Sequence, residues 1–342
     1  MMNPRENYLA FLNHEDTDYV PVIFFDAAIC GGRAETFENG PLEGGEDGFG
    51  NNWIPTESAA GQPALDPFKI VCDDVCDWEE KVKFPDLDAF DWQAFADQQL
   101  AGVDRTQKVV DYRTWNSIFE RFTHLLTFEG ALCAMYEEPE ASQDLIDAIT
   151  DYKIRQVDYV AKYFKPDTMA TYDDFATERA LFMSPDQYRQ FFKEPHKRLA
   201  DAMWSYDIIP QKHTCGYCTD VLDDYIDEGI AAWQSAQPSN DIANIIETKG
   251  RKIGVVGGYD TQGKCSIDLA TPEVVRNETI RCYDEYGCYG YGYCFFAFTI
   301  GDPNSPKIKE NFDVMYSTLR ELREEEMSGK RLPTKKLQAA VC

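Results

Sequence analysis

No stretch of the chain reaches 18 consecutive apolar residues, so a membrane-spanning helix is not expected. The start, Met1 to Leu12 (MMNPRENYLAFL), lacks the apolar run and small-residue cleavage site of a secretory signal. An intracellular, cytoplasmic location is therefore expected. Positive charge is scarce: 33 Lys and Arg stand against 60 Asp and Glu, for a net charge of −27. Such a surface repels nucleic-acid phosphates and anionic lipid headgroups, which argues against nucleic acid and membrane as partners. Small neutral or cationic molecules, or a protein with a basic patch, are favoured instead. There is no internal repeat, and no Gly-rich phosphate loop follows the first strand candidate, which weakens a nucleotide-binding doubly wound fold.

What is present suits one large core. Hydrophobic residues make up 44% and charged residues 27% of 342 positions, so global disorder is not expected. A single α/β barrel domain over 1–342 accommodates this length. Cysteine is plentiful at eleven residues. In a large chain with no export signal these thiols are expected to stay reduced, and some to bind metal.

Strand and helix candidates alternate, the mark of βαβ units and a parallel sheet. Val20 to Phe25 (VPVIFF) reads as a buried strand. Residues 30–66, rich in Gly, Pro, Asn and acids, read as a long active-site loop region. A helix opens at Pro139 and stops at Lys165-Pro166. Strands are expected over 167–172, 207–212, 230–234, 253–256 and 290–298. Helices are expected between them, followed by a last helix over 306–325 and a short C-terminal tail over 327–342. A barrel concentrates function at the C-terminal ends of its strands. The polar residues Asp173, Asp174, His213, Cys215, Gln234, Asp260 and Cys294 fall at such ends.

His213-Thr214-Cys215 is a His-x-Cys pair, and in an extended segment residues two apart point the same way. Imidazole and thiolate suit zinc, which in catalytic sites takes three protein ligands and keeps one position open. Cys294 offers a third ligand. The plainer alternative is a buried histidine with buried inert thiols. Cys218 is a rival ligand, through Cys215-x-x-Cys218. Cys72 and Cys76 read better as inert thiols, and nothing physical requires the even spacing of Cys282, Cys288 and Cys294. Asp173-Asp174 offers an acid, a base, a contact to a substrate cation or a group beside the metal; its plainer reading is a capping or solvated pair. The Tyr286–Tyr293 segment (YGCYGYGY) offers stacking surfaces or simply core aromatics.

At these residues the chain resembles the uroporphyrinogen decarboxylase superfamily, and within it the corrinoid-dependent zinc methyltransferase branch. The features are RENYLAFLNHEDTDYVPV at 5–22, YDDF at 172–175, SPDQYRQFFKEPHKRL at 184–199, HTCG at 213–216, GGYD at 257–260, and Cys294 before the last helix. The resemblance implies a (β/α)8 TIM barrel with zinc held by His213, Cys215 and Cys294. It also implies methyl transfer to or from a corrinoid (cobalamin). The Asp-x-His-x-x-Gly pattern that seats cobalamin is absent: His213 precedes Gly216 at the right distance but has Gln211 in place of the Asp. The corrinoid is thus expected on a partner, a separate corrinoid protein.

Within that branch the expected reaction is O-demethylation: zinc acts as a Lewis acid on a small methylated substrate, such as an aryl methyl ether, and the methyl passes to Co(I). Tyr172, Asp173, Trp233, Gln234, Tyr259 and Tyr293 are expected to line the substrate site, and Asp174 and Asp260 to act as acid and orienting group. Three alternatives compete. Zinc could activate a thiol, such as coenzyme M, to take methyl from the corrinoid. The chain could be a decarboxylase, although the loop after Val20–Phe25 carries only Arg33 for a polyanionic substrate. It could also be a non-enzymatic thiol or zinc sensor. The sequence leaves the oligomeric state open, a homodimer included.

Overall fold

The computed structural model describes residues 1–56, 63–299, 302 and 304–333. Seven parallel strands form one curled sheet: β1 (Ala27–Gly31), β2 (Val109–Thr114), β3 (Thr168–Tyr172), β4 (Ile209–His213), β5 (Ala232–Ala236), β6 (Gly254–Gly258) and β7 (Tyr293–Phe296). Their spatial order follows the chain, as right-handed β-α-β winding around a barrel requires. The ring is joined on the far side by a parallel bridge between Val22 and Phe295, with the Phe295 N–H donating to the Pro21 carbonyl at 2.8 Å. The architecture is that of the (β/α)8 barrel class, with seven regular strands among the described residues.

The five later strands fall where the sequence places them, within a residue or two at most ends. The first does not. Val20–Phe25 contributes only the bridge at Val22; Ile23–Asp26 is a helical turn, and the strand proper is Ala27–Gly31. The turn is held because the Asp26 carboxylate accepts the Val22 N–H at 2.7 Å and is clasped by both Nη atoms of Arg323 at 2.8 and 2.6 Å. A short apolar run buried on all sides does not by itself distinguish strand from helical turn.

Helix α1 (Pro4–Leu12) closes the N-terminal face of the barrel. It starts with a capping box between Asn3 and Glu6 and has Pro4 in its first turn, a favourable combination. Its Tyr8, Phe11 and Leu12 cluster with Ala27, Val109, Ile209 and Ala232, all at the first positions of their strands, and with Val256 and Cys294. A Cβ at Gly254 would lie 2.6 Å from the Phe11 ring, so glycine there lets α1 seat.

The long loop region after β1 is folded rather than open. Its described part carries a three-stranded antiparallel sheet of Gly45–Glu46, Asn52–Pro55 and Pro63–Leu65. Buried ion pairs pin it to helices α2 (Ile118–Leu126) and α3 (Pro139–Tyr163). Arg121 reaches Glu38 and Asp47, both at 3.0 Å, and Lys153 reaches Glu38 at 2.7 Å. The charges are paired and hydrogen-bonded, the condition under which burial is tolerated. The last helix spans Pro306–Met327, and the tail from 334 onward lies outside the described residues. Among the described residues, no helix is long and apolar enough to cross a membrane.

Candidate metal centre

The HTCG segment leaves the C-terminal end of β4 and is fastened on three sides. The Thr214 N–H donates to the Gln234 carbonyl at 2.6 Å, and the Thr214 hydroxyl to the Asp173 carbonyl at 2.9 Å. Trp233 Nε1 donates to the Thr214 carbonyl at 3.0 Å, and Asn240 Nδ2 to the Gly216 carbonyl at 2.8 Å. Gly216 sits at φ +90° with its α-carbon against the Ala176-Thr177 backbone; an added Cβ would lie 2.4 Å from the Thr177 oxygen. Only glycine fits both the angle and the gap.

This fastening brings Asp174, at the end of β3, onto Cys215. The Cys215 N–H donates to Asp174 Oδ1 at 2.7 Å, and Cys215 Sγ lies 3.4 Å from His213 Nε2. One ligand-capable atom from each of Asp174, His213 and Cys215 lies within 4.8 Å of the others. Two tetrahedral ligands at zinc distances, one sulfur and one nitrogen, stand ~3.5 Å apart, so the His213–Cys215 edge already has the right length. Asp174 and Cys215 are half-buried and His213 is buried, so the group opens to the mouth of the barrel.

The electrostatics ask for a cation. Burial pushes Asp174 up to about 6, against the pull of the Cys215 N–H. Burial, then Asp174, pushes the Cys215 thiol well above its usual range. Burial, then the Arg113 guanidinium, drives His213 down to about 3, which keeps the imidazole neutral as a ligand must be. None of the ion pairs among the described residues involves Asp174, so a carboxyl and a thiol face each other with no basic side chain between them. One nitrogen, one sulfur and one carboxylate oxygen with an open fourth position fit zinc. His213 Nδ1 is buried and makes no well-formed hydrogen bond among the described residues, while the Gln234 side chain pulls against the effect of burial on the imidazole.

Cys294 stands outside this group. It points into the barrel interior, fully buried, level with Val256 on β6, and its thiol faces Tyr8. Cys218 is also buried, with its sulfur 3.7 and 3.8 Å from the carbonyls of Cys215 and Thr214.

The expected substrate residues divide sharply. Tyr172 faces the mouth, its ring flat against His213 at 3.9 Å between centroids and 10° between planes. Gln234 points inward, with Nε2 donating to Gln211 Oε1 at 3.3 Å. Asp173 is turned into the wall: its carboxylate accepts the Phe119 and Glu120 N–H groups at 3.1 and 2.8 Å and meets His196 Nε2 at 2.7 Å. Trp233, Tyr259 and Tyr293 are buried behind the strands, the tyrosines donating to the Cys265 and Gly257 carbonyls. The Asp260 carboxylate caps its own turn through the Gln262 and Gly263 N–H groups. It lines, with Glu178, Gln237 and Ser239, an open cleft of about 440 Å³ beside the mouth.

Three residues escaped the sequence reading. Arg113, on β2, donates to Asp111 Oδ2 from Nε and Nη2 at 3.3 and 3.2 Å and to the Tyr172 hydroxyl from Nη1 at 3.0 Å. Trp115 lies next to Tyr172, with 5.9 Å between ring centroids. Glu120, in the first turn of α2, is held well above the usual carboxylate range by burial, then by Asp174 and Asp173. Arg113 and Trp115 belong to a strand and loop for which apolar periodicity gives little signal. Glu120 reads from sequence as an ordinary acid in the first turn of a helix.

Comparison with known proteins bears on the fold and the family. A methyltransferase from Methanosarcina mazei has the same fold, with a TM-score of 0.64 at 16% identity over 94% of this chain and 99% of that one. No curated protein matches. The profile of the uroporphyrinogen decarboxylase (URO-D) family matches residues 116–295, more than half of the chain and the whole stretch from the β2–α2 turn to β7. The chain belongs to the uroporphyrinogen decarboxylase family.

Proposed function

We propose that this protein is a zinc-dependent methyltransferase. It takes a methyl group from a small O-methyl compound, such as an aryl methyl ether, and passes it to Co(I) of a separate corrinoid protein in the cytoplasm. The observation that carries the reading is the convergence of Asp174, His213 and Cys215 at the mouth of a barrel whose fold a methyltransferase shares.

In this reading Asp174, His213 and Cys215 hold the metal, and Cys294 does not. Two anionic donors and a neutral imidazole balance the charge of Zn²⁺. Bound there, zinc supplies Lewis acidity toward the oxygen that leaves the methyl group. The protein does the rest. His213 is kept neutral by burial and Arg113. Asp174, committed to the metal, is not the proton donor; its neighbour Glu120, which burial, then Asp174 and Asp173, push above the usual carboxylate range, is the group assigned to deliver a proton to the departing oxygen. The carboxylate of Asp260 orients the remote part of the substrate from the adjoining cleft.

The test is to mix the zinc-loaded protein with a Co(I) corrinoid protein and a panel of methyl ethers. The cobalt spectrum is expected to change to that of methyl-Co(III), and Cys215→Ser to abolish the change. Porphyrinogen turnover with no cobalt methylation would reject the proposal.

A further inference from the structure

Period-two alternation sorts the strand residues at the mouth. Ala27, Val109 and Cys294 face inward with the α1 cluster, so Ile29, Arg113 and Phe296 face inward above them. Ile29 is nonetheless 40% exposed. An inward-facing isoleucine meets solvent only if the barrel is open at that level. At or just past the ends of β2, β3 and β7 are the half-buried Trp115, Tyr172 and Phe298, the last stacked on Phe296 at 6.0 Å and 24°. The Arg113 guanidinium lies 5.8 Å from the Phe296 ring centroid. The aromatic rings of this opening therefore stand beside the Arg113 guanidinium.

That cation is only partly committed. A guanidinium has five N–H donors, and Arg113 uses three of them on Asp111 and Tyr172 among the described residues. Tyr172 accepts from Arg113, which leaves its own O–H free to donate. Asp111 neutralises the charge of Arg113, so the pair suits an uncharged oxygen better than a free anion. Two donors, side by side, then face a slot walled by aromatic rings and lying against the His213 imidazole.

We infer that this end of the barrel is a slot for an oxygen-substituted planar ring, such as a phenol or methoxyphenol, with Arg113 and the Tyr172 hydroxyl as the specificity-determining donors to the ring oxygen. The substrate class deepens the proposed methyl-transfer reading and rests on it; the binding itself does not depend on turnover.

The experiment measures equilibrium binding to the purified full-length chain by tryptophan fluorescence and calorimetry, with 2-methoxyphenol and toluene as probes. The wild type is expected to bind 2-methoxyphenol about tenfold tighter than toluene, the size of one or two hydrogen bonds. Tyr172→Phe and Arg113→Met each are expected to erase most of that preference while leaving toluene binding within about twofold. If Arg113→Met fails to fold, Tyr172→Phe, which removes a single oxygen, carries the test with Arg113→Lys. A wild type that binds neither probe, or a preference unchanged in both folded variants, overturns the inference. Binding with the expected preference but no methyl transfer to Co(I) rejects the reaction and leaves the slot standing. Methyl transfer with the preference unchanged in the variants rejects the slot alone.

Discussion

The imidazole of His213 and the ring of Tyr172 lie face to face, 3.9 Å between centroids and 10° from parallel. The stack fixes the plane of a candidate metal ligand whose Nδ1 has no well-formed hydrogen-bond partner among the described residues. Metal-bound histidines are usually oriented by such a partner, and losing it costs 10–100-fold in affinity. The aromatic face, together with the Gln234 side chain, takes that role here. Tyr172→Phe is accordingly expected to keep its zinc, and Tyr172→Ala to bind it about 10–100-fold more weakly, as read by competition with a chromophoric chelator.

Asp173 and Asp174 are adjacent in sequence and opposite in role. Asp173 is fully buried, caps the start of α2 with two hydrogen bonds and holds His196. Asp173→Ala strands two helix N–H groups and the imidazole, at a cost of about 3 kcal/mol. Chemical denaturation should show that loss, whereas Asp174→Ala, at a half-buried position, should cost less stability and more metal.

Gly216 joins the positive φ of +90° to a close approach on the Thr177 carbonyl, 2.4 Å from an added Cβ. Gly216→Ala is expected to cost on the order of 2–3 kcal/mol. Because the same turn presents Cys215 to Asp174, zinc stoichiometry is expected to fall with it. Measuring metal content and melting temperature on one sample links the two.

Glu35 gives the loop region a pH signature. It is buried among Tyr112, Thr114 and Gln156, and burial, then Glu38, pushes it up to about 8. The folded state therefore keeps a proton that the unfolded chain releases near pH 4.5. The stability this contributes is fully present below about pH 4.5 and is lost as pH rises through about 8. Unfolding free energy measured across that window is expected to decline with pH, and Glu35→Gln to flatten the decline.

Legibility in the sequence followed physical signal. Strands β3 to β7 announced themselves because helix starts such as Ser184-Pro185 and stops such as Lys165-Pro166 bracket them. β1 and β2 did not. Ala27–Gly31 (AAICG) has little β propensity beside the more apolar VPVIFF just before it. Val109–Thr114 (VVDYRT) turns Asp111 and Arg113 inward, against the rule that inward means apolar.

The same limit governed the metal centre. His213 and Cys215 are neighbours on one strand end, so a local pattern found them. Asp174 reaches them only through the packing of the Ala176-Thr177 backbone on Gly216, a tertiary contact. Cys294 was correctly aligned with a strand, but its depth in the barrel depends on register, where two residues shift a side chain by about 7 Å.

The most direct test of the account is zinc stoichiometry of the purified protein beside its His213→Ala, Cys215→Ser, Asp174→Asn and Cys294→Ser variants. The account predicts about one zinc per chain, lost in the first three variants and retained in Cys294→Ser. No zinc in the wild type, or zinc lost in Cys294→Ser but kept in Asp174→Asn, would contradict it.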